Sequence, residues 1–286
     1  MDPRHLAHTL TPEESRRFER DGFFAVEEAI PDSLVQRLLP VCDRIDREER
    51  ERQGKGPGER INHFDFIGRD EIFLELLDWG KTFPKVWGIL GWHIQLYHTH
   101  MMVTPPEPAG RTLAGHGLDL GWHQDSGLLN QDLETDPRPR VSLKVGYFLT
   151  DTSEEGRGNF YVVPGSHLRN EFPGPDRKGL VDAAVAVCVP PGTAVFFDRR
   201  LWHSGSANYW REARRVLFYG YSYRWLRPRD DMTVEHYLDR CDPIRKQLLG
   251  VSCSGGHGYT SPKPEDVPLR AWLEEHGAEA PVRIEA

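Results

Sequence analysis

The chain has 286 residues, with 36 Lys and Arg against 44 Asp and Glu, a formal net charge of −8. Its 38% hydrophobic and 28% charged residues are the make-up of a folded globular protein, not a disordered one. No run approaches 18 apolar residues, which argues against a transmembrane helix. The acidic balance argues against a nucleic-acid binder, which needs a basic footprint, and less strongly against an anionic small molecule, since a pocket can differ from the net charge.

The opening Met1-Asp2-Pro3-Arg4-His5 lacks the basic start and apolar core of a signal peptide. Thr11 then caps a helix, with Pro12 in its first position and Glu14 closing a capping box. That helix runs through Phe18 and stops at Asp21-Gly22. Phe23–Val26 reads as a short strand. Pro31-Asp32 opens a second helix with Leu34, Val35, Leu38 and Leu39 as its apolar stripe. Its continuation over residues 43–52 is nearly all charge, a solvated helix face or a mobile segment, ending at Gly54-Lys55-Gly56-Pro57-Gly58. Residues 71–90, rich in Leu and Trp, read as a third helix. From about residue 92 the pattern changes to strands, over 93–103, 140–149, 159–163, 194–197 and 216–223, separated by Gly and Pro turns. Beyond Met232 the pattern is weak, with a helix expected at 267–276. Neither a repeat nor a linker is visible, so one domain is expected over residues 1–286, with its core at about 10–225. Its class is α+β, mostly β, with helices on one face. The four cysteines, Cys42, Cys188, Cys241 and Cys253, have no C-x-x-C spacing. They read as reduced thiols of a cytoplasmic protein rather than a zinc knuckle or disulfide framework.

Thirteen histidines raise the question of which act together. In Trp122-His123-Gln124-Asp125 a strand would turn His123 and Asp125 to the same side. A third ligand is available from His203, just after the strand at 194–197 and its Asp198-Arg199-Arg200 turn. Two His and one carboxylate make the facial triad of non-haem iron(II) oxygenases, with open positions for substrates. A bare H-x-D is common by chance. His63-Phe64-Asp65 is another, without an evident third partner, and reads as structural or surface. What lifts the first cluster is Arg214, eleven residues after His203. A hairpin would return it beside the metal, where a guanidinium can grip a carboxylate bidentately.

With these residues the chain resembles the phytanoyl-CoA dioxygenase family of Fe(II)/2-oxoglutarate oxygenases. The resemblance covers roughly residues 10–225. It is carried by Leu10-Thr11-Pro12-Glu13 with Phe18-Glu19-Arg20-Asp21-Gly22-Phe23, by His123-Gln124-Asp125, and by Tyr147-Phe148-Leu149-Thr150-Asp151. Val163-Pro164-Gly165-Ser166-His167, Pro191-Gly192-Thr193 and the spacing from His203 to Arg214 complete it. It implies a double-stranded β-helix (jelly roll, cupin-like) core with flanking N-terminal helices. It also implies His123, Asp125 and His203 as iron ligands and Arg214 on the far carboxylate of 2-oxoglutarate. His100 and Tyr147 fall at positions that line the cosubstrate in the family. A serine frequent two residues after the distal histidine is Gly205 here, so its contact is absent or comes from Ser204 or Ser206. His167 is expected to be a structural turn residue.

The implied cofactors are Fe(II), 2-oxoglutarate and O2. The implied reaction oxidises an unactivated C–H bond while 2-oxoglutarate becomes succinate and CO2. Asp125 argues for hydroxylation, oxidative cyclisation or desaturation rather than halogenation, because halogenases of this chemistry lack the carboxylate. The expected partner is a small molecule of natural-product or sugar metabolism. The polar-aromatic cluster of Trp92, His93, Gln95, Tyr97, His98 and His100 would suit a hydroxyl-rich or amine-bearing substrate. Loops at 107–120 and 126–139 are expected to form a lid. The alternatives are a branched acyl-CoA hydroxylase, a cupin-like metalloenzyme that does not use 2-oxoglutarate, or a binding module on the same fold. The sequence leaves the oligomeric state open.

Overall fold

The structure, a computed structural model, describes residues 1–278. Its strands are β1 (Phe23–Val26), β2 (Ile61–Phe64), β3 (Ile94–Thr104), β4 (Ser142–Phe148), β5 (Phe160–Val162), β6 (Val185–Val187), β7 (Thr193–Asp198), β8 (His203–Gly205) and β9 (Arg214–Tyr223). A six-stranded sheet runs in the order β1-β7-β4-β9-β3-β2, and a three-stranded sheet in the order β6-β5-β8. All pairings are antiparallel. The two sheets face each other across a core of Phe148, Val195, Phe197, Val216 and Phe218 from the large sheet and Phe160, Val162 and Val187 from the small one. This is the double-stranded β-helix sandwich of an α+β protein.

The large sheet is buried on both faces. Its outer face carries the helices Asp32–Gln53, Leu74–Leu77 and Phe83–Leu90, whose Leu34, Val35, Leu76, Phe83 and Trp87 pack with Val145, Phe196, Tyr219 and Tyr221. Side chains alternate between faces along a strand, so each strand of this sheet sends odd and even positions to different layers. On β4, Leu143, Val145 and Tyr147 join the helical layer while Phe148 joins the inter-sheet core. On β9, Leu217, Tyr219 and Tyr221 point outward, and Val216 and Phe218 point inward. This two-layer sorting decides which side chains can reach a site between the sheets.

The first helix, Pro12–Asp21, has the expected capping box between Thr11 and Glu14 and ends at Gly22 with φ 81°. The charged stretch 43–52 continues the helix Asp32–Gln53 to Gly54. Its charges are tied along the helix by pairs such as Arg50–Asp46 at 2.7 Å, the i, i+4 spacing that supports a solvated helix. The expected third helix over 71–90 is split into a 3-10 turn Glu71–Phe73 and the helices Leu74–Leu77 and Phe83–Leu90. Pro84 is the cause: it sits in the first turn of the last helix, where its missing N–H costs nothing. Strands β2, β6 and β8 have three or four residues each and carry too little pattern to stand out. The C-terminal helices Pro243–Leu248 and Pro268–Glu275 bring Ile244, Leu248, Leu269 and Leu273 into the same outer core. No helix among the described residues is long and apolar enough to cross a membrane.

Candidate active site

His123 and Asp125 do not lie on a regular strand. They occupy an extended segment joined to β8 by one isolated bridge, in which His123 and His203 exchange both N–H···O bonds at 3.0 Å. The bridge puts the two imidazoles side by side, with ring centres 4.3 Å apart. Asp125 is held by its backbone. Its N–H donates to Arg199 O at 2.9 Å, and its carbonyl accepts from Asn130 Nδ2 at 2.8 Å. Asn130 in turn accepts from the buried Arg199 guanidinium. The Asp198-Arg199-Arg200 turn is therefore a support for Asp125 as well as a lead into His203.

One donor atom from each of His123, Asp125 and His203 falls within 4.8 Å of the other two. Both histidines are in the tautomer a metal needs. Nδ1 of His123 lies 2.9 Å from Gly121 O, and Nδ1 of His203 lies 2.8 Å from Leu201 O. A carbonyl only accepts, so each Nδ1 carries the proton and each Nε2 keeps its lone pair. Burial, with the His123 ring beside it, pushes the His203 imidazole down to about 3, so it is neutral at neutral pH. Burial alone would raise the Asp125 carboxyl, but Lys144, His203 and His123 outweigh it and hold the group ionised far below the usual range. One oxygen of Asp125 is engaged by Lys144, at 2.8 Å from Nζ. The other, Oδ2, is buried without any hydrogen-bond partner. A buried, ionised and unpartnered oxygen beside two imidazole lone pairs fits a divalent cation.

Lys144 is a functional candidate that reading the motifs misses. Its ammonium sits between the rings of Phe197 and Phe218, 6.0 and 5.9 Å from their centres, and it is 9% exposed. A signal for it exists in the sequence: lysine is almost never buried unless paired, and this one interrupts a strand of otherwise apolar and small residues.

The triad and Arg214 line one cavity of about 640 Å3, together with His100, Met102, Lys144, Gly205 and Phe218. Arg214 does not return by a hairpin. β8 belongs to the small sheet and β9 to the large one, so the chain crosses between sheets, and Arg214 lines the same cavity as His203. Arg214 is 3% exposed, and among the described residues its guanidinium meets only neutral acceptors: Gly158 O at 2.5 Å from Nη1 and Met102 Sδ at 2.8 Å from Nη2. Nε has no partner. Burial lowers its pKa to about 10, which still leaves it charged at neutral pH. A buried cation without a counter-charge is costly, and a thioether is a weak acceptor that a carboxylate displaces.

The other expected contacts divide. His100 lines the cavity, with Nε2 3.1 Å from Asn62 Oδ1, and burial keeps it neutral. Met102, two residues on and on the same side, lines it as well and reaches Arg214. Tyr147 is not in the cavity. It points into the helical layer with Leu143 and Val145, and its hydroxyl lies 2.6 Å from Thr82 Oγ1 and 3.3 Å from Leu76 O. The inward position is Gly146, directly opposite Phe218 in the β4–β9 register; a Cβ there would meet the Phe218 ring at 2.8 Å. Ser206 also points away, bonding Ala207 O, and Ser204 accepts from Gly121 N. Gly205 is the residue of this segment that lines the cavity, 3.8 Å from Arg214 Nη1 measured from where its Cβ would lie. The serine contact is therefore absent. Tyr147→Phe should leave the KM for 2-oxoglutarate unchanged while costing about 1 kcal/mol of unfolding free energy. Steady-state kinetics and a urea melt check both halves.

His63 pairs with Asp46 at 2.9 Å, and Asp65 accepts from Thr233. His167 donates through Nε2 to Glu19 O, and its ring packs against Gly22, where a Cβ would come within 2.5 Å of Nδ1. Of the polar-aromatic cluster at 92–100, Tyr97 and His100 line the cavity. Gln95 donates to Leu226 O and His98 pairs with Asp230. The loop at 126–139 reaches the cavity through Ser126, Gly127, Leu128 and Leu129, whereas no residue of 107–120 lines it.

Comparison with known proteins agrees with this geometry. The family model for phytanoyl-CoA dioxygenase (PhyH) matches residues 18–216. An ectoine dioxygenase of Bordetella parapertussis is 24% identical over 255 residues, covering 78% of this chain and 79% of the relative. HygX of Streptomyces hygroscopicus, solved with nickel and 2-oxoglutarate, superposes with a TM-score of 0.59 at 18% identity, over 75% of this chain and 87% of HygX. The epimerase SnoN, solved with Fe3+, alpha-ketoglutarate and nogalamycin RO, superposes at 0.57 and 18% identity, over 83% of this chain and 90% of SnoN. The solved structures share the fold, and the family match spans well over half of the sequence: the chain belongs to the phytanoyl-CoA dioxygenase (PhyH) family and is an iron- and 2-oxoglutarate-dependent oxygenase.

Proposed function

We propose that this enzyme oxidises an unactivated C–H bond of a small molecule, by hydroxylation or oxidative cyclisation, in natural-product or sugar tailoring. In this reading His123, Asp125 and His203 hold Fe(II), and Arg214 grips the far carboxylate of 2-oxoglutarate. The observation that carries it is a pairing within one cavity. Two imidazoles with Nε2 free and a carboxylate with an unpartnered oxygen share a cavity with a buried guanidinium that has no counter-charge among the described residues. Iron with 2-oxoglutarate supplies the oxidising power, drawn from O2 and the conversion of 2-oxoglutarate to succinate and CO2.

The protein's share is placement. His203 and Gly205 face the cavity two strand positions apart, about 7 Å, and Arg214 stands beside Gly205. A five-carbon dicarboxylate can thus reach from the triad to the guanidinium. Lys144 occupies one oxygen of Asp125 and leaves the other for the metal. Met102 and His100 form the wall on that side, and the Phe197, Phe218 and Phe160 rings give it an apolar lining. A cupin-like metalloenzyme without 2-oxoglutarate would have no use for Arg214. The chain acts as a single oxygenase unit, a reading supported by the C-terminal helices sharing the outer core. The free cysteines, Cys42 and Cys241 among them buried, support the cytoplasm as its compartment.

The test is succinate formation from 2-oxoglutarate, measured with and without Fe(II) and O2. Formation should require both and fall at least about 100-fold in His203→Ala, the scale on which loss of an essential group acts. Undiminished turnover in that variant would contradict the assignment.

A further inference from the structure

Two of the three basic side chains in the cavity are accounted for by the oxygenase reading, on which the present inference rests: Arg214 faces the cosubstrate and Lys144 holds Asp125. Arg229 remains. It is exposed at the mouth, its guanidinium carbon 5.5 Å from the centre of the Phe64 ring, and it forms no ion pair with a carboxylate among the described residues. Its place is fixed by the backbone, since Arg229 N–H donates to Tyr97 O at 2.9 Å, at the bulge in β3. The adjacent Asp230 is already spent. Oδ1 lies 2.6 Å from His98 Nδ1, and Oδ2 accepts from Thr99 N at 2.5 Å and Thr99 Oγ1 at 2.9 Å.

The charge balance of the cavity points the same way. Lys144, Arg214 and Arg229 line it against the single carboxylate of Asp125. Divalent iron and the 2-oxoglutarate dianion cancel each other, so the residues lining the loaded cavity keep an excess of two positive charges, which Asp230 behind the wall, with its uncharged His98 and Thr99 partners, reduces to one, in a protein whose formal net charge is −8. In a confined, partly desolvated space such an excess repels a cationic substrate and attracts an anion. The rim beside Arg229 is apolar and hydroxylic. Phe64 is 50% exposed and Leu128 75%, and Tyr97 Oη lies 3.3 Å from the hydroxyl of Ser126. Ser126 itself has φ 65°, a strained value for a serine of the kind that gathers at functional sites.

We propose that Arg229 is a substrate-recognition residue and that the substrate is an anion, a carboxylate or a phosphate, with an apolar body laid against Phe64 and Leu128. Of the hydroxyl-rich or amine-bearing substrate expected from the sequence, this proposal sets aside only the amine, and Tyr97 and His100 are the residues of that polar wall that reach the cavity.

The test uses four probes with one body: 3-phenylpropanoate, 3-phenylpropyl phosphate, 3-phenylpropanamide and 3-phenylpropylamine. Each is titrated anaerobically into enzyme loaded with Fe(II) and saturating 2-oxoglutarate, and binding is read from perturbation of the visible charge-transfer band. At least one anion should bind about tenfold tighter than the amide, with the amine weakest. The better anion identifies the headgroup. Arg229→Gln should erase the preference while leaving the unperturbed band intact. Equal or tighter binding of the amine or amide overturns the proposal, as does an unchanged preference in Arg229→Gln, or no saturable binding of any probe at millimolar concentration. Absence of the band before any probe is added would instead sink the oxygenase assignment of Arg214 and the triad.

Discussion

Arg214→Ala should abolish productive binding of 2-oxoglutarate while leaving the metal site intact. The guanidinium lies in the inter-sheet cavity on the first residue of β9, and its present partners are a carbonyl and a thioether. Neither neutralises the charge, so the group is preorganised for a carboxylate that the described residues do not provide. Truncating one side of a buried charge-assisted pair costs about 2 kcal/mol or more, so affinity should fall at least about 30-fold. Calorimetric titration of 2-oxoglutarate into the Ni(II)-loaded protein reads this directly, and metal stoichiometry should stay at the wild-type level. Arg214→Lys should recover only part of the affinity, because an ammonium is a point charge without the two-pronged donor geometry. An Arg214→Ala variant that binds 2-oxoglutarate as tightly as wild type would remove Arg214 from the site.

The second large effect lies in the Asp125–Lys144 pair. Asp125→Ala should lose the metal and also unfold more easily. The substitution leaves the Lys144 ammonium buried between Phe197 and Phe218 with no counter-charge. Breaking a buried pair in this way costs about 3–5 kcal/mol. Adding Lys144→Met to Asp125→Ala should restore most of that stability, since an uncharged, flexible side chain suits the space between two rings. It should not restore metal binding. His203→Ala should lose metal without the stability penalty of an orphaned charge. Denaturant melts of the metal-free proteins and metal stoichiometry separate the three variants. Equal stability of Asp125→Ala and wild type would mean that Lys144 is not held by Asp125 as described.

Legibility in the sequence tracks the length of each signal. The triad and Arg214 belong to short motifs whose spacing is a local property, and the structure gathers all four around one cavity. The way they are gathered differs from the expected one. His123 and Asp125 converge through a single bridge to β8 and a backbone clamp from Arg199 and Asn130, not through strand alternation. Arg214 arrives by a crossing between sheets, not by a hairpin. Such long-range pairings leave no local trace.

Tyr147 is a different case, because its own strand holds the answer. In Ser142-Leu143-Lys144-Val145-Gly146-Tyr147-Phe148 the aliphatic Leu143 and Val145 occupy odd positions, and Tyr147 shares their parity and their layer, while Phe148 falls on the other face. A one-residue shift exchanges the two faces of a strand, and matching an aromatic to a motif overrides that count. The opposite parity, that of Gly146, nominates Lys144 for the cavity side. For Ser206 the alternation through His203 and Gly205 already excludes it from the cavity side.

The most direct test of the account is spectroscopic and anaerobic. Fe(II) and then 2-oxoglutarate are added to the metal-free protein, and the visible metal-to-ligand charge-transfer band of chelated 2-oxoglutarate is recorded, with Arg214→Ala alongside. The account predicts a band that requires both additions and weakens strongly in the variant at equal 2-oxoglutarate. Wild-type protein that binds iron and shows no band would contradict it.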